Sequence, residues 1–305
     1  MTTVSTTRLN CRLVFLATIL CWPAYAQENP KRPHILGISE VHLYATNLAA
    51  TRSFYRNVLD VRGPCHWCEE IPRSPMIVPL NGQQFLMLSS LPTPPTSGFV
   101  AQVSFATDDL VATMRFLTAK GIAFSMQKGT ITSEITLKDP EGNRIGFTQR
   151  RPASKNSPLV YSGLHMIHAG FVVKDLAAEN RFYVDLLGFR LYWHGGFKDD
   201  GEDWYEIQVP DGSDWIEYML NIPANADRKE LGIQNHISIG VKDIHAAAEE
   251  LRKNGIDQFD GPEIGRDGKW SIDAYDPDGT HVEIMEFAPT KEPCCHPYTA
   301  THPKP

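Results

Sequence analysis

Four stretches of the chain alternate apolar and polar residues, reach an Asn or Asp, and then switch to a helical period. They are Glu40-Val-His-Leu-Tyr-Ala-Thr-Asn47, Gln102-Val-Ser-Phe-Ala-Thr-Asp-Asp109, His168-Ala-Gly-Phe-Val-Val-Lys-Asp175 and His236-Ile-Ser-Ile-Gly-Val-Lys-Asp243. Alternation predicts a strand and the later period an amphipathic helix. The Asn or Asp predicts the boundary, because its side-chain oxygen accepts from a free first-turn N–H. The helices match best at Leu48-Ala-Ala-Thr-Arg-Ser-Phe54-Tyr55 and Leu176-Ala-Ala-Glu-Asn-Arg-Phe182-Tyr183. Short strand-like runs follow each helix. The turns Asp139-Pro-Glu-Gly142 and Asp276-Pro-Asp-Gly279 recur after the second and fourth, proline presetting a turn dihedral and glycine tolerating positive φ.

The unit is β-α-β-β-β, present four times at roughly 36–98, 99–150, 164–225 and 232–288, with units one and two repeating as three and four. The predicted class is α+β, in two domains at 36–150 and 164–288. A polar, proline-bearing linker (150–158) separates them, and a loose Pro-rich tail (289–305) follows.

Alternation also assigns faces. Ile167, Ala169, Phe171 and Val173 face a helix, while His168, Gly170 and Val172 point the other way. His236, Ser238 and Gly240 lie opposite Ile237, Ile239 and Val241. Glu217, flanked by Trp215 and Met219, lies opposite Ile216 and Tyr218. Glu283, flanked by His281 and Met285, lies opposite Val282 and Ile284. Four donors, His168, Glu217, His236 and Glu283, therefore share one concave surface. Two imidazoles and two carboxylates suit a divalent Fe²⁺, Mn²⁺, Ni²⁺, Co²⁺ or Zn²⁺ ion with room for water or substrate. On the same side, Trp204, Glu206, Gln208 and Trp215 predict an aromatic, polar-tipped substrate pocket. Trp193 and His194 compete for its wall. Arg266 and Lys269 fall in a Gly-rich loop, read as solvated.

The repeated unit, with its capping Asp and Asp-Pro-x-Gly turn, resembles the vicinal oxygen chelate superfamily: glyoxalase I, fosfomycin- and bleomycin-resistance proteins, methylmalonyl-CoA epimerase and extradiol dioxygenases. The resemblance covers nearly the whole chain after residue 36. It implies that paired units close their sheet into a metal-holding cup, in a tandem glyoxalase/dioxygenase-like fold. It also implies that the ligands stand at the start of each unit's first strand and on its last strand, positions that His168, Glu217, His236 and Glu283 occupy.

The first half lacks that set. Glu40 stands in the position of His168, Gln102 in that of His236, Gly146 in that of Glu283, and the apolar Phe85-Leu-Met-Leu88 in that of Glu217. A metal-free, degenerate domain is expected there. Finding all four ligands in units three and four argues for pairing within each half.

Two reactions follow from the resemblance. In a glyoxalase- or epimerase-like lyase or isomerase, the metal polarises a carbonyl and Glu283 or Glu217 moves the adjacent proton. In an Fe²⁺ extradiol dioxygenase, His168, His236 and Glu283 form a facial triad. The sequence departs from the second pattern: Asp273 stands where that family has tyrosine, and Glu217 fills a position an oxygenase leaves open. A small-molecule-sequestering protein is the third reading. Partners are a small substrate and, at most, a second copy of the chain.

Composition bounds these readings. With 42% hydrophobic and 21% charged residues the chain is globular, and a net charge of −7 without a basic block excludes nucleic acid as partner. Arg8 and Arg12, the apolar run Leu13–Trp22 and Ala24-Tyr25-Ala26 predict a signal peptide over residues 1–26. The run is shorter than the roughly 20 residues of a membrane span. An exported protein, periplasmic or secreted and free of the membrane after cleavage, is expected. Cys65, Cys68, Cys294 and Cys295 are then disulfide candidates, with three connectivities open and a four-thiolate metal site as the alternative. Protein purified from its native host is expected to begin at Gln27. An intact N-terminus in a cytosolic fraction would remove both the export and the disulfide arguments.

Overall fold

The computed structural model describes residues 30–60, 76–91, 93, 98–128, 132–150 and 162–305. The expected signal peptide (1–26), Cys65, Cys68 and most of the linker lie outside them. No helix among the described residues is long and apolar enough to cross a membrane.

The first half runs β1 (Gly37–Ala45), α1 (Leu48–Val58), β2 (Met76–Pro79), β3 (Phe85–Ser90), β4 (Val100–Ala106), α2 (Leu110–Ala119), β5 (Ser125–Lys128), β6 (Thr132–Lys138) and β7 (Arg144–Arg150). The second half repeats the order with β8 (His165–Val172), α3 (Leu176–Asn180, continued by a π turn over Arg181–Leu186), β9 (Arg190–Gly195), β10 (Trp204–Gln208) and β11 (Trp215–Met219). It ends with α4 (Arg228–Gln234), β12 (Ile237–Val241), α5 (Ile244–Lys253), β13 (Phe259–Ile264), β14 (Trp270–Tyr275) and β15 (His281–Glu286). The predicted caps form: Asn47, Asp109, Asp175 and Asp243 each accept a first-turn N–H, satisfying donors the helix cannot.

Strand pairing stays within each half. The order is β2-β3-β1-β4-β7-β6-β5 in one sheet and β13-β14-β15-β12-β8-β11-β10-β9 in the other. Each sheet is thus two β-α-β-β-β units joined through their first strands, β1 antiparallel to β4 and β8 antiparallel to β12. One apolar core, running from Ile35 to Ile284, backs both sheets.

The helices lock across the halves instead. Tyr55 on α1 donates to Asp276 of the second half's turn, and Tyr183, its counterpart, donates to Asp139 of the first half's turn, both at 3.2 Å. Each Asp also organises its own turn, accepting backbone N–H from Asn143 or Thr280. Gly142 and Gly279 close these turns at φ of 90° and 85°, which favours glycine.

Two expectations change. The tail is docked, not loose. Thr299 N–H donates to Tyr192 O at 2.9 Å, Gln208 Nε2 to Thr301 O at 2.8 Å, and Tyr298 Oη to Asp267. Cys294 and Cys295 are joined to each other, so the tail is held by these non-covalent contacts and neither thiol is left for a metal. Ile167 also leaves the helix side. The β8–β12 register slips between Ser238 and Ile239, a bulge that re-aims a side chain. Ile167 therefore packs with Tyr192, Trp215, Met285 and Phe287 at the tail end of the sheet.

A buried acid pair sits at the join between halves. Glu179 is fully buried and accepts the Glu141 N–H at 2.9 Å. Burial, then the neighbouring charge of Asp139, pushes its carboxyl up to about 8. A carboxyl whose folded pKa exceeds its unfolded value binds its proton more tightly when folded, so stability falls as pH rises from about 4.5 through about 8. Glu179→Gln keeps the acceptor and removes the titration. Melting temperatures between pH 5 and 9 are expected to fall less steeply in this variant; an unchanged slope counts against the assignment.

Candidate metal centre

The alternation that separates cup from core in β8, β11, β12 and β15 brings the four donors to one point. His168 Nε2 lies 3.0 Å from His236 Nε2 and 3.3 Å from Glu283 Oε2. Glu217 Oε2 lies 3.1 Å from His236 Nε2 and 3.7 Å from His168 Nε2. The register explains the convergence. Trp215 pairs with His168, Glu217 with Gly170 and Glu283 with Ser238, so three donors stand on β8, β11 and β15, and His236 is the residue that leads into β12 between them.

Gly170 is the position that makes room. It exchanges backbone hydrogen bonds with His236, and a β-carbon there would lie 2.1 Å from the His236 ring. Any larger residue drives the imidazole out of the cup. Trp215, fully buried, supports the other ring, its centroid 4.8 Å from that of His168.

These residues fit a divalent transition-metal ion. His236 Nδ1 lies 3.2 Å from Gln234 O, which can only accept, so the proton of that ring sits on Nδ1 and Nε2 presents its lone pair to the cup. Burial, then the nearby His236, holds the His168 pKa well below the usual histidine range, so the ring is neutral, the form that binds metal. Burial, then Asp273 and Glu217, raises Glu283 well above the carboxylate range. A cation among the four donors relieves both strains.

The expected pocket residues are divided by burial. Trp204 is half-buried, its ring edge-on to the exposed Phe197 at 4.6 Å. Glu206, Gln208 and Trp215 are sealed, because the tail and Lys269 fill that end of the cup. Trp193 also faces inward and donates Nε1–H to His296 O, whereas His194 faces outward with Tyr205. Lys269 is not solvated: it is fully buried, with Nζ 3.1 Å from Asp267 and 4.5 Å from the Trp215 ring centre. Arg266 is anchored to Asp199 and Gly196 O.

Two cup residues had no role assigned from the sequence. His281 Nε2 lies 3.0 Å from Asp273 Oδ1, and the His281 ring stands 5.1 Å from that of His236. The available signal was His281's place two residues before Glu283 on the same face.

In the first half the equivalent strands bring no such set together among the described residues. Glu40 pairs with Phe85 and Ser104, Gly146 with Ser104, and Met87 with His42. Glu134 on the neighbouring strand fills the gap, accepting from Gln102 at 2.6 Å and Ser104 at 2.7 Å. A β-carbon at Gly146 would lie 2.4 Å from that carboxylate. What remains is a cup of about 360 Å³.

The glyoxalase/bleomycin resistance protein/dioxygenase family model matches residues 34–147 and again 165–284. The chain belongs to this superfamily. Its curated relatives include a lactoylglutathione lyase of Haemophilus influenzae, 31% identical over 133 residues, which are 42% of this chain and 96% of that protein. A probable chloroplastic lactoylglutathione lyase of Arabidopsis thaliana is 27% identical over 136 residues, 43% of this chain and 38% of that one. Among solved structures, a homoprotocatechuate 2,3-dioxygenase variant of Brevibacterium fuscum superposes with a TM-score of 0.64 at 17% identity, covering 90% of this chain and 76% of the other. The Arthrobacter globiformis enzyme gives 0.61 at 16%, covering 85% and 82%. At these identities the structural likeness speaks for the two-domain superfamily fold.

Loss of the cup should be readable as loss of metal. His168→Ala, His236→Ala and Glu283→Ala are each expected to remove one bound equivalent, and Glu217→Ala to weaken it less. Gly170→Ala, which changes none of the four donor residues but crowds the His236 ring, is expected to lower affinity by at least about tenfold, the usual size of a supporting-shell defect. Metal content by emission spectroscopy after desalting checks this, and full occupancy in Gly170→Ala would show that His236 is not held as described.

Proposed function

We propose that this chain is an exported, metal-dependent lyase or isomerase of the glyoxalase and epimerase kind, acting on a small oxygen-chelating substrate. The observation that carries the reading is Glu217. Its Oε2 lies 3.1 Å from His236 Nε2 and belongs to the same cluster as His168, so a second carboxylate stands where ring-cleaving chemistry needs open positions. Export rests on the N-terminal charge and apolar pattern.

The cation would be held by His168, Glu217, His236 and Glu283, and when bound it supplies Lewis acidity to a substrate carbonyl. The chain's own groups do the rest. Glu217 and Glu283, each slightly exposed, are the carboxylates within reach of the carbon beside that carbonyl, and one takes its proton and returns it. His281, oriented by its Nε2 contact with Asp273, stands beside His236, and its other ring nitrogen can accept from a substrate hydroxyl. The sealed aromatic end around Trp215 keeps water from His168.

The dioxygenase reading draws support from the two-domain superposition and from the triad His168, His236 and Glu283. One experiment separates the readings. The protein is loaded anaerobically with Zn²⁺, Ni²⁺, Mn²⁺ or Fe²⁺ and given panels of α-hydroxycarbonyl compounds and of catechols. Turnover without oxygen on a redox-inert metal is expected, with solvent deuterium entering the carbon next to the carbonyl. Oxygen uptake strictly dependent on Fe²⁺, with a ring-opened product, would overturn the proposal. Tight binding without turnover would make the protein a sequestering one.

A further inference from the structure

We propose a second transition-metal site on the outside of the second domain, formed by His194, Glu202 and His296. It is independent of the reaction proposed for the cup. His194 Nδ1 lies 2.8 Å from Glu202 Oε2, His296 Nε2 lies 3.5 Å from Glu202 Oε1, and the three ligand atoms fall within 4.8 Å of one another. Two imidazoles and one carboxylate, with remaining positions open to water, suit Zn²⁺, Ni²⁺, Co²⁺ or Cu²⁺ far better than Mg²⁺ or Ca²⁺.

The three ligands come from three segments, and each is delivered by contacts of its own. His194 is on β9, its ring 5.0 Å from that of Tyr205. Glu202, in the β9–β10 connection, accepts from His194 Nδ1 at 2.8 Å, and its backbone carbonyl accepts from Asn221 Nδ2 at 3.0 Å. His296 belongs to the tail, whose backbone at that residue accepts the Trp193 Nε1–H at 3.0 Å, while Thr299 N–H is bonded to Tyr192 O. The His194 and His296 rings are stacked at 3.7 Å. A shared ion must lie in the plane of both rings, so His296, 42% exposed, has to turn out of the stack when the ion enters.

The consequence is mechanical. The tail closes one end of the cup through Tyr298 against Tyr192 and Lys269. An ion joining His296 to His194 and Glu202 ties that closure to the β9–β10 hairpin.

The test uses the full chain carrying His168→Ala and His236→Ala, so that the cup no longer competes, stripped with chelator and titrated with Zn²⁺. One equivalent is expected to bind. Adding either His194→Ala or His296→Ala is expected to abolish it. Amide exchange over residues 294–302 is expected to slow on Zn²⁺ addition in the first protein and to be unchanged by Zn²⁺ in the others. No Zn²⁺ bound by the cup-deleted protein, or one equivalent still bound after loss of either His194 or His296, overturns the site. If the cup-deleted chain does not fold, the otherwise wild-type chain serves: His296→Ala should lower its Zn²⁺ content by one equivalent, and no change overturns the proposal. Either result leaves the chemistry of the cup untouched.

Discussion

Two imidazole nitrogens held 3.0 Å apart inside a β-sheet, with a carboxylate on either side, are the constraint around which the second domain is built. Neutral rings and buried acids are costly to bring together unless a cation joins them. The sheet nevertheless prepays the geometry. His168 is fixed between Trp215 and the partner strand, and His236 leans into the space left empty at Gly170. Three of the donors take their direction from strand register, and His236, just before β12, takes its own from the backbone bonds it exchanges with Gly170.

A second buried group completes the closed end. Burial alone would lower the Lys269 pKa, but the carboxylates of Glu206 and Asp267 outweigh it and raise it. The ammonium is surrounded by the rings of Trp215, Tyr298 and Tyr192 at 4.5, 5.0 and 5.2 Å, a cation–π setting strengthened by the absence of water. Trp215 is thus held by Lys269 from one direction while it supports His168 in the other. Removing the tail would expose this ammonium and loosen the metal ligand behind it.

The first domain keeps the same scaffold without the four-donor set among the described residues. The strands, the caps and the turn are retained, yet Gly146 leaves a gap, and Glu134 fills it with hydrogen bonds from Gln102 and Ser104. That half still has structural work to do. Tyr55 reaches Asp276 and Tyr183 reaches Asp139, so each half stabilises the turn that begins the other's last strand. The strand that carries Glu283 is consequently braced by a helix of the first domain.

The four β-α-β-β-β units, their capping residues and the positions of His168, Glu217, His236 and Glu283 were legible in the sequence, because periodicity and capping are local and alternation on a strand fixes which face a residue takes. The weaker readings failed where alternation is interrupted or where distant segments meet. Ile167 changed face through a bulge that only the partner strand reveals. Lys269 was read as a solvated loop residue and Trp215 as pocket lining, but the tail, some 30 residues beyond Lys269 and some 80 beyond Trp215, buries them. His281 lay in plain view on the cup face, and its role depended on Asp273 arriving from the adjacent strand. The sequence by itself determined the elements, their caps and the donor set. Tertiary structure decided which residues are sealed, which donors pair, and that the tail is a wall of the cup, since burial and long-range contact depend on chain segments that no local pattern relates.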